Sequence, residues 1–144
     1  MLYGSSPFLD KISPNKLTPV MTLSSILISI KTFKAGQSIG YGSRYTCKQD
    51  MQIGVVAIGY AEGYPRSAID GTPVFINGVN SKIAGSVSMD MITIDLTSVP
   101  NPQIGNYVEL FGENISVDEV AKYCNTISYE ILSKITRRVY KTYI

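Results

Sequence analysis

The chain has 144 residues, enough for one domain with a sizeable core, and a formal charge of only +2 with basic and acidic residues interspersed. That balance gives no electrostatic footprint for nucleic acid or an anionic membrane, so neither is an expected partner. The sequence contains no histidine, which excludes a Ser-His-Asp or Cys-His triad, a histidine-ligated zinc site and a histidine proton shuttle. Acid–base chemistry must therefore use Tyr, Lys, Cys or carboxylates, and no metal is expected. The longest apolar run, Ile26-Leu27-Ile28-Ser29-Ile30, is too short to span a bilayer. Met1-Leu2-Tyr3-Gly4 lacks the basic start and long apolar stretch of a signal peptide, so the expectation is a soluble cytoplasmic protein. Cys47 and Cys124 have no C-x-x-C spacing and read as reduced thiols.

In chain order, the opening residues, with Pro7 and Pro14 and little periodicity, read as a connection arriving from elsewhere. Residues 20–33 mix Thr and Ser with Leu and Ile and end at Lys34-Ala35-Gly36-Gln37, a strand followed by a turn. A second strand is expected to carry Tyr41, with Tyr41, Ser43 and Tyr45 on one face and Arg44 on the other. Residues 52–60 are dense in Val and Ile and read as a strand ending at Tyr60. Val74-Phe75-Ile76 and Val79-Asn80-Ser81 flank Asn77-Gly78, the pair best suited to a type I′ hairpin turn. Residues 83–96 and 107–111 complete a string of strands whose spacing suggests a small barrel or closed sheet.

The ending differs. Ser116 followed by Glu119 is a capping box, and Val117, Val120, Ala121 and Cys124 recur at i, i+3, i+4 and i+7, predicting a helix over about 117–124. Asn125 is its expected stop, residues 129–135 a second short helix and residues 138–144 an edge strand. The predicted fold is mainly β, a small barrel-like domain with one or two short C-terminal helices.

Two tyrosines stand out. Tyr41 lies between glycines in Ser38-Ile39-Gly40-Tyr41-Gly42-Ser43, and Tyr60 follows Gly59 in Gly59-Tyr60-Ala61-Glu62-Gly63-Tyr64-Pro65-Arg66. Flanking glycines remove Cβ atoms and open backbone angles, so another chain or a ligand can approach the hydroxyl. The plainer alternatives stay open: Tyr41 is one of ten tyrosines and can simply fill a strand face, and Tyr60 can be a strand end before a turn. Likewise Val87, Met89 and Met91 can be the inner face of a strand, Tyr129 a packing residue and Arg66 a solvated turn residue.

These two sites, with Ser86-Val87-Ser88-Met89-Asp90-Met91 and Ile127-Ser128-Tyr129-Glu130 in that order, closely resemble the C-terminal domain of alanine racemase, a pyridoxal-phosphate enzyme. The resemblance covers nearly the whole chain. It implies that residues 1–15 connect to an absent N-terminal (β/α)8 barrel and that residues 16–144 form the C-terminal β domain. It implies that Tyr41 is a general base acting on the α-proton of alanine bound to pyridoxal 5′-phosphate, with a barrel lysine working on the opposite face. A phenol ionises near ~10, so serving as base at neutral pH asks for a depression worth about 4 kcal/mol. Burial acts the other way, and a cationic neighbour, supplied by the barrel, is expected.

The resemblance further gives the Met89 amide and Asp90 the substrate carboxylate, Tyr60 the inner wall of the site, Arg66 and Ile127 the corridor by which substrate enters, and Tyr129 the cofactor phosphate. It implies a head-to-tail homodimer in which Tyr41, Tyr60 and Met89 act across the interface, making D-alanine for cell-wall precursors. Two departures are Glu62, where the family usually has aspartate, and Ser86, where it often has arginine. Because the chain starts after the family's pyridoxal-binding lysine and ring-nitrogen arginine, the isolated chain is expected neither to hold the cofactor tightly nor to racemise. The alternatives are a racemase for another amino acid such as serine, a related decarboxylase, and a non-catalytic β-barrel module that binds a ligand or partner.

Overall fold

A long first strand organises the sheet. The computed structural model describes residues 4, 5 and 17–143, and within them β1 (Leu23–Phe33) runs between two antiparallel neighbours, β4 (Met51–Val56) and β8 (Tyr107–Phe111). Its Ser/Thr and Leu/Ile mixture suits this place, with Leu23 and Leu27 turned into the core while Ser24 and Ile26 stay exposed. Register slips at Leu27/Ser29 against β4 and at Leu23/Ser24 against β8 bend the strand. The remaining elements are β2 (Ser38–Ile39), β3 (Tyr45–Thr46), β5 (Pro73–Ile76), β6 (Val79–Lys82), β7 (Ile92–Asp95), α1 (Val117–Tyr123) and α2 (Ser128–Lys134).

The main sheet has the order β6-β5-β8-β1-β4-β7, antiparallel throughout, and β2 with β3 forms a separate ribbon. The sheet curls until its edges meet. Ile83, just after β6, bridges to Ile94 of β7, the Ala84 amide donates to the Thr93 carbonyl at 2.9 Å, and the Ser81 hydroxyl donates to the Asp95 carbonyl. This is the barrel-like, mainly β fold with short C-terminal helices that the strand spacing predicts. Leu27, Val56, Ile76, Ile94, Leu96, Val108 and Leu110 fill its interior, and Val120, Ala121 and Ile131 from the helices join the same cluster.

The hairpin stands where Asn77-Gly78 predicts it: Ile76 pairs with Val79, and both turn residues have positive φ, 48° and 80°. The α1 boundaries hold as well. The Ser116 hydroxyl accepts from the Asp118 amide at 3.1 Å. Asn125 adopts φ 51°, with bonds from Thr126 N to Ala121 O (3.1 Å) and from Asn125 N to Lys122 O (3.3 Å) closing the helix.

Four expectations change. Tyr41 is not on a strand: residues Tyr41–Ser43 make a 3₁₀ turn between β2 and β3, because Gly40, Gly42 and Ser43 take φ of 77°, 71° and 53°. The expected alternation of Tyr41, Ser43 and Tyr45 on one strand face therefore does not occur. The strand through residues 52–60 stops at Val56, and Tyr60 begins a second 3₁₀ turn, Tyr60–Glu62. Of residues 83–96 only Ile92–Asp95 is strand, since Gly85 at φ 103° diverts the chain. Residues 138–143 form no strand, and Arg138 is instead held by side-chain ion pairs. Most of the opening connection, and residue 144, lie outside the described residues.

Candidate functional site

The Tyr60 turn is built locally. The Glu62 carboxylate accepts the Gly59 amide at 2.9 Å, and the Gly63 amide returns to the Tyr60 carbonyl at 3.1 Å. Against it lies the loop 85–91, pinched where the Ser88 amide donates to the Met91 carbonyl at 3.0 Å. Two backbone bonds join the segments: Tyr60 N to Ser88 O at 3.1 Å and Ala61 N to Met89 O at 2.9 Å. The junction is so close that a Cβ on Gly59 would sit 2.2 Å from Ser88 O and 2.4 Å from Met89 O. Gly59 thus serves close approach, with the neighbour being the 88–89 backbone rather than a ligand.

Tyr60 (42% exposed) and Met89 (51%) open to solvent at this junction. Of the strand face expected at Val87, Met89 and Met91, only Val87 is buried, because the segment is a loop. The Met89 amide has no acceptor among the described residues. Asp90 pairs with Arg138 at 2.8 Å through Nη2, and Nε of the same guanidinium reaches Glu62 at 2.8 Å. Thr136 fastens the Arg138 segment to the Tyr60 turn, its hydroxyl donating to Ala61 O at 2.9 Å and its amide to Glu62 O at 3.1 Å.

Beside Tyr60 a cavity of about 380 Å³ is lined by Tyr64, Arg66, Thr126, Glu130 and Lys134 among others. Glu130 accepts from both Lys134 and Thr126. Tyr64 is buried with its hydroxyl unpartnered, and burial pushes its ionisation well above the usual phenol range. Neighbouring Cys124 is a buried free thiol pushed up to about 11, first by burial and then by Glu130. Cys47 is likewise a buried free thiol.

The other sequence-derived candidates lie around this centre. The turn carrying Tyr41 abuts the far end of the 85–91 loop, since a Cβ on Gly40 would stand 3.6 Å from Ser86 N. Tyr129 lies in the first turn of α2, half-buried, with its hydroxyl donating to the Ser5 carbonyl at 3.4 Å. Ser5 is itself buried, bonded to Asp118 at 2.5 Å and to Ser128. Ile127 is exposed at the head of α2, where its neighbours Thr126, Glu130 and Ile131, but not Ile127 itself, line the cavity. The structure therefore brings Tyr60, Met89 and Asp90 into one cluster with Arg66 at the adjoining cavity, and sets Tyr129 apart on α2. Sequence reasoning missed Arg138 and Tyr64. Arg138 lies 48 residues from Asp90, a separation that leaves no periodic signal. Among the described residues no group of three or more His, Cys, Asp or Glu could hold a metal, and no helix is long and apolar enough to cross a membrane.

Comparison with known proteins gives a consistent result. The family described as alanine racemase, C-terminal domain, matches residues 20–143. An alanine racemase of Burkholderia mallei is 50% identical over 141 residues, covering 96% of this chain and 40% of that relative. The solved biosynthetic alanine racemase from Pseudomonas aeruginosa superposes with a TM-score of 0.91 at 47% identity, over 96% of this chain and 39% of that one. The alanine racemase from Bartonella henselae, solved with covalently bound pyridoxal phosphate, gives 0.90 at 32% identity, over 99% and 40%. The chain thus spans about 40% of the length of the relatives it matches.

Proposed function

The chain belongs to the family of alanine racemase C-terminal domains, and from that premise we propose that it completes the active site of an enzyme interconverting L- and D-alanine. The observation that carries the reading is that both glycine-flanked tyrosine turns adjoin one loop, Gly40 meeting it at Ser86 and Tyr60 at Ser88. The Met89 amide on that loop is a fixed donor, and a main-chain N–H pairs with a carboxylate whatever its side chain. That amide, aided by the adjoining Asp90 whose side chain is turned to Arg138, holds the substrate carboxylate. Tyr60 walls the site, and Arg66 and Ile127 border its approach. Tyr41 takes or returns the α-proton on one face, with a cation from the upstream domain keeping its phenol ionisable near neutrality.

Pyridoxal 5′-phosphate, when bound, supplies the electron sink that makes the α-proton acidic. This chain fits only the rim of that group: Tyr129, a half-buried phenol at a helix start, would turn its one hydroxyl proton from the Ser5 carbonyl to the phosphate. An upstream (β/α)8 barrel joined through residues 1–15 holds the rest, and a homodimer sets Tyr41, Tyr60 and Met89 against the partner's barrel. The isolated chain is inactive.

The test is D-alanine formation from L-alanine by the protein with its upstream region, as wild type and as Tyr41→Phe. The variant is expected to keep its cofactor and lose about 10²- to 10⁴-fold in rate. Wild-type activity on serine alone would change the substrate, and inactivity toward every amino acid offered would favour the binding-module alternative.

A further inference from the structure

We propose that Arg138 is a positioning residue that holds the Met89 amide in register with Tyr60. Three segments distant in sequence meet at its guanidinium. Nε donates to Glu62, on the Tyr60 turn, and Nη2 donates to Asp90, beside Met89, each at 2.8 Å. The other Glu62 oxygen is engaged by the Gly59 amide at 2.9 Å, so the turn, the carboxylate and the arginine form a continuous chain of bonds. Its base is fixed too: Arg138 N donates to Thr136 Oγ1, which donates to Ala61 O.

The planar guanidinium suits this task, because its rigidly spaced Nε and Nη2 donors address two carboxylates at once, a geometry that the freely rotating ammonium of lysine does not impose. Its arms are unequal. The Glu62 side chain is 14% exposed and retains most of its attraction, whereas Asp90 is 54% exposed and screened by solvent. The anchored arm therefore fixes the arginine, and the exposed arm orients the loop. Without the guanidinium the bridge between the Glu62 turn and the Asp90 loop is lost and two carboxylates are left uncompensated, which loosens the Tyr60–Ser88 and Ala61–Met89 bonds.

The kinetic part of this inference rests on the racemase reading, so the experiment carries a second readout that does not. Arg138→Gln, Arg138→Lys and Arg138→Gln/Glu62→Gln are made in the full-length protein. Hydrogen exchange is followed at the Tyr60 and Ala61 amides, and KM, kcat and inhibition by acetate, a bare carboxylate, are measured with alanine. In Arg138→Gln, exchange at those two amides is expected to rise about tenfold or more while the β4 amides keep their protection. KM for alanine and the acetate inhibition constant should each rise about tenfold with cofactor content unchanged and kcat moving less, the pattern of lost uniform binding. Arg138→Lys should fall between, and the double variant should recover part of the protection because one of the two uncompensated carboxylates is gone. Where Arg138→Gln does not fold, the same comparison in Arg138→Lys decides. Unchanged exchange at Tyr60 and Ala61 overturns the positioning role. Faster exchange with unchanged KM and acetate binding overturns the link to the Met89 amide. Faster exchange in a protein whose wild type does not racemise leaves the clamp standing and removes the substrate reading.

Discussion

Replacing Gly59 with alanine separates steric from conformational demands at the site. Gly59 has φ −152° and ψ −158°, extended backbone open to any residue, so the substitution strains no dihedral. The new methyl would lie 2.2 Å from Ser88 O and 2.4 Å from Met89 O, and restoring ordinary contact requires the loop to retreat by about 1 Å. Those carbonyls accept the Tyr60 and Ala61 amides at 3.1 and 2.9 Å, and an added 1 Å or so ends both bonds. Their loss costs about 1–3 kcal/mol together, and residual overpacking about 1–3 kcal/mol more. Reduced freedom of the unfolded chain returns about 0.4–1 kcal/mol, leaving a net destabilisation of about 1–6 kcal/mol. Urea unfolding followed by far-ultraviolet circular dichroism measures it. Gly36→Ala is the control: φ is 85° and nothing lies within 4 Å of the added methyl, so only the left-handed backbone penalty of about 1–2 kcal/mol applies. Gly59→Ala within about 0.5 kcal/mol of wild type would refute the close-packed junction.

Two further outcomes follow from the buried groups beside the cavity. Tyr64→Phe removes a buried hydroxyl with no partner, so the variant should equal wild type or gain about 1 kcal/mol in the same denaturation assay, and a loss of that size would contradict the unsatisfied hydroxyl. Alkaline pH should lower the melting temperature. The native state keeps the Cys124 proton up to about 11 whereas the unfolded thiol releases it near 9.0, so the unfolded chain binds fewer protons and stability falls as pH rises between those values. Tyr64, raised by burial from 10.0, adds to the loss at the upper end. A melting temperature flat from about pH 8 to 11 would refute both shifts.

Local features were legible where the physics is local. Asn77-Gly78 determined its hairpin because few other residue pairs accept two positive φ angles at no cost. Ser116 and Asn125 bounded α1 because capping joins residues only a few positions apart. The strand limits were less legible. Runs of Val and Ile before Tyr60 and around Met91 carry β propensity, yet the first strand stops at Val56 and the second begins only at Ile92, since the backbone at Tyr60 and Ala61 bonds to the Ser88–Met89 loop rather than to a strand. Tyr41 reads as extended by alternation, but positive φ at Gly40, Gly42 and Ser43 makes a turn around it.

The sequence by itself determined the fold class, the hairpin, the first helix and the family, because hydrophobic patterning, turn chemistry and motif order lie along the chain. Which residues gather was decided only in three dimensions. Sheet closure through Ile83 and Ile94 carries the 85–91 loop to the Tyr60 turn, and a C-terminal segment read as an edge strand delivers Arg138 between Glu62 and Asp90. Ion pairs and backbone contacts between residues dozens of positions apart impose no period on the sequence, so the junction exists only once the barrel has closed.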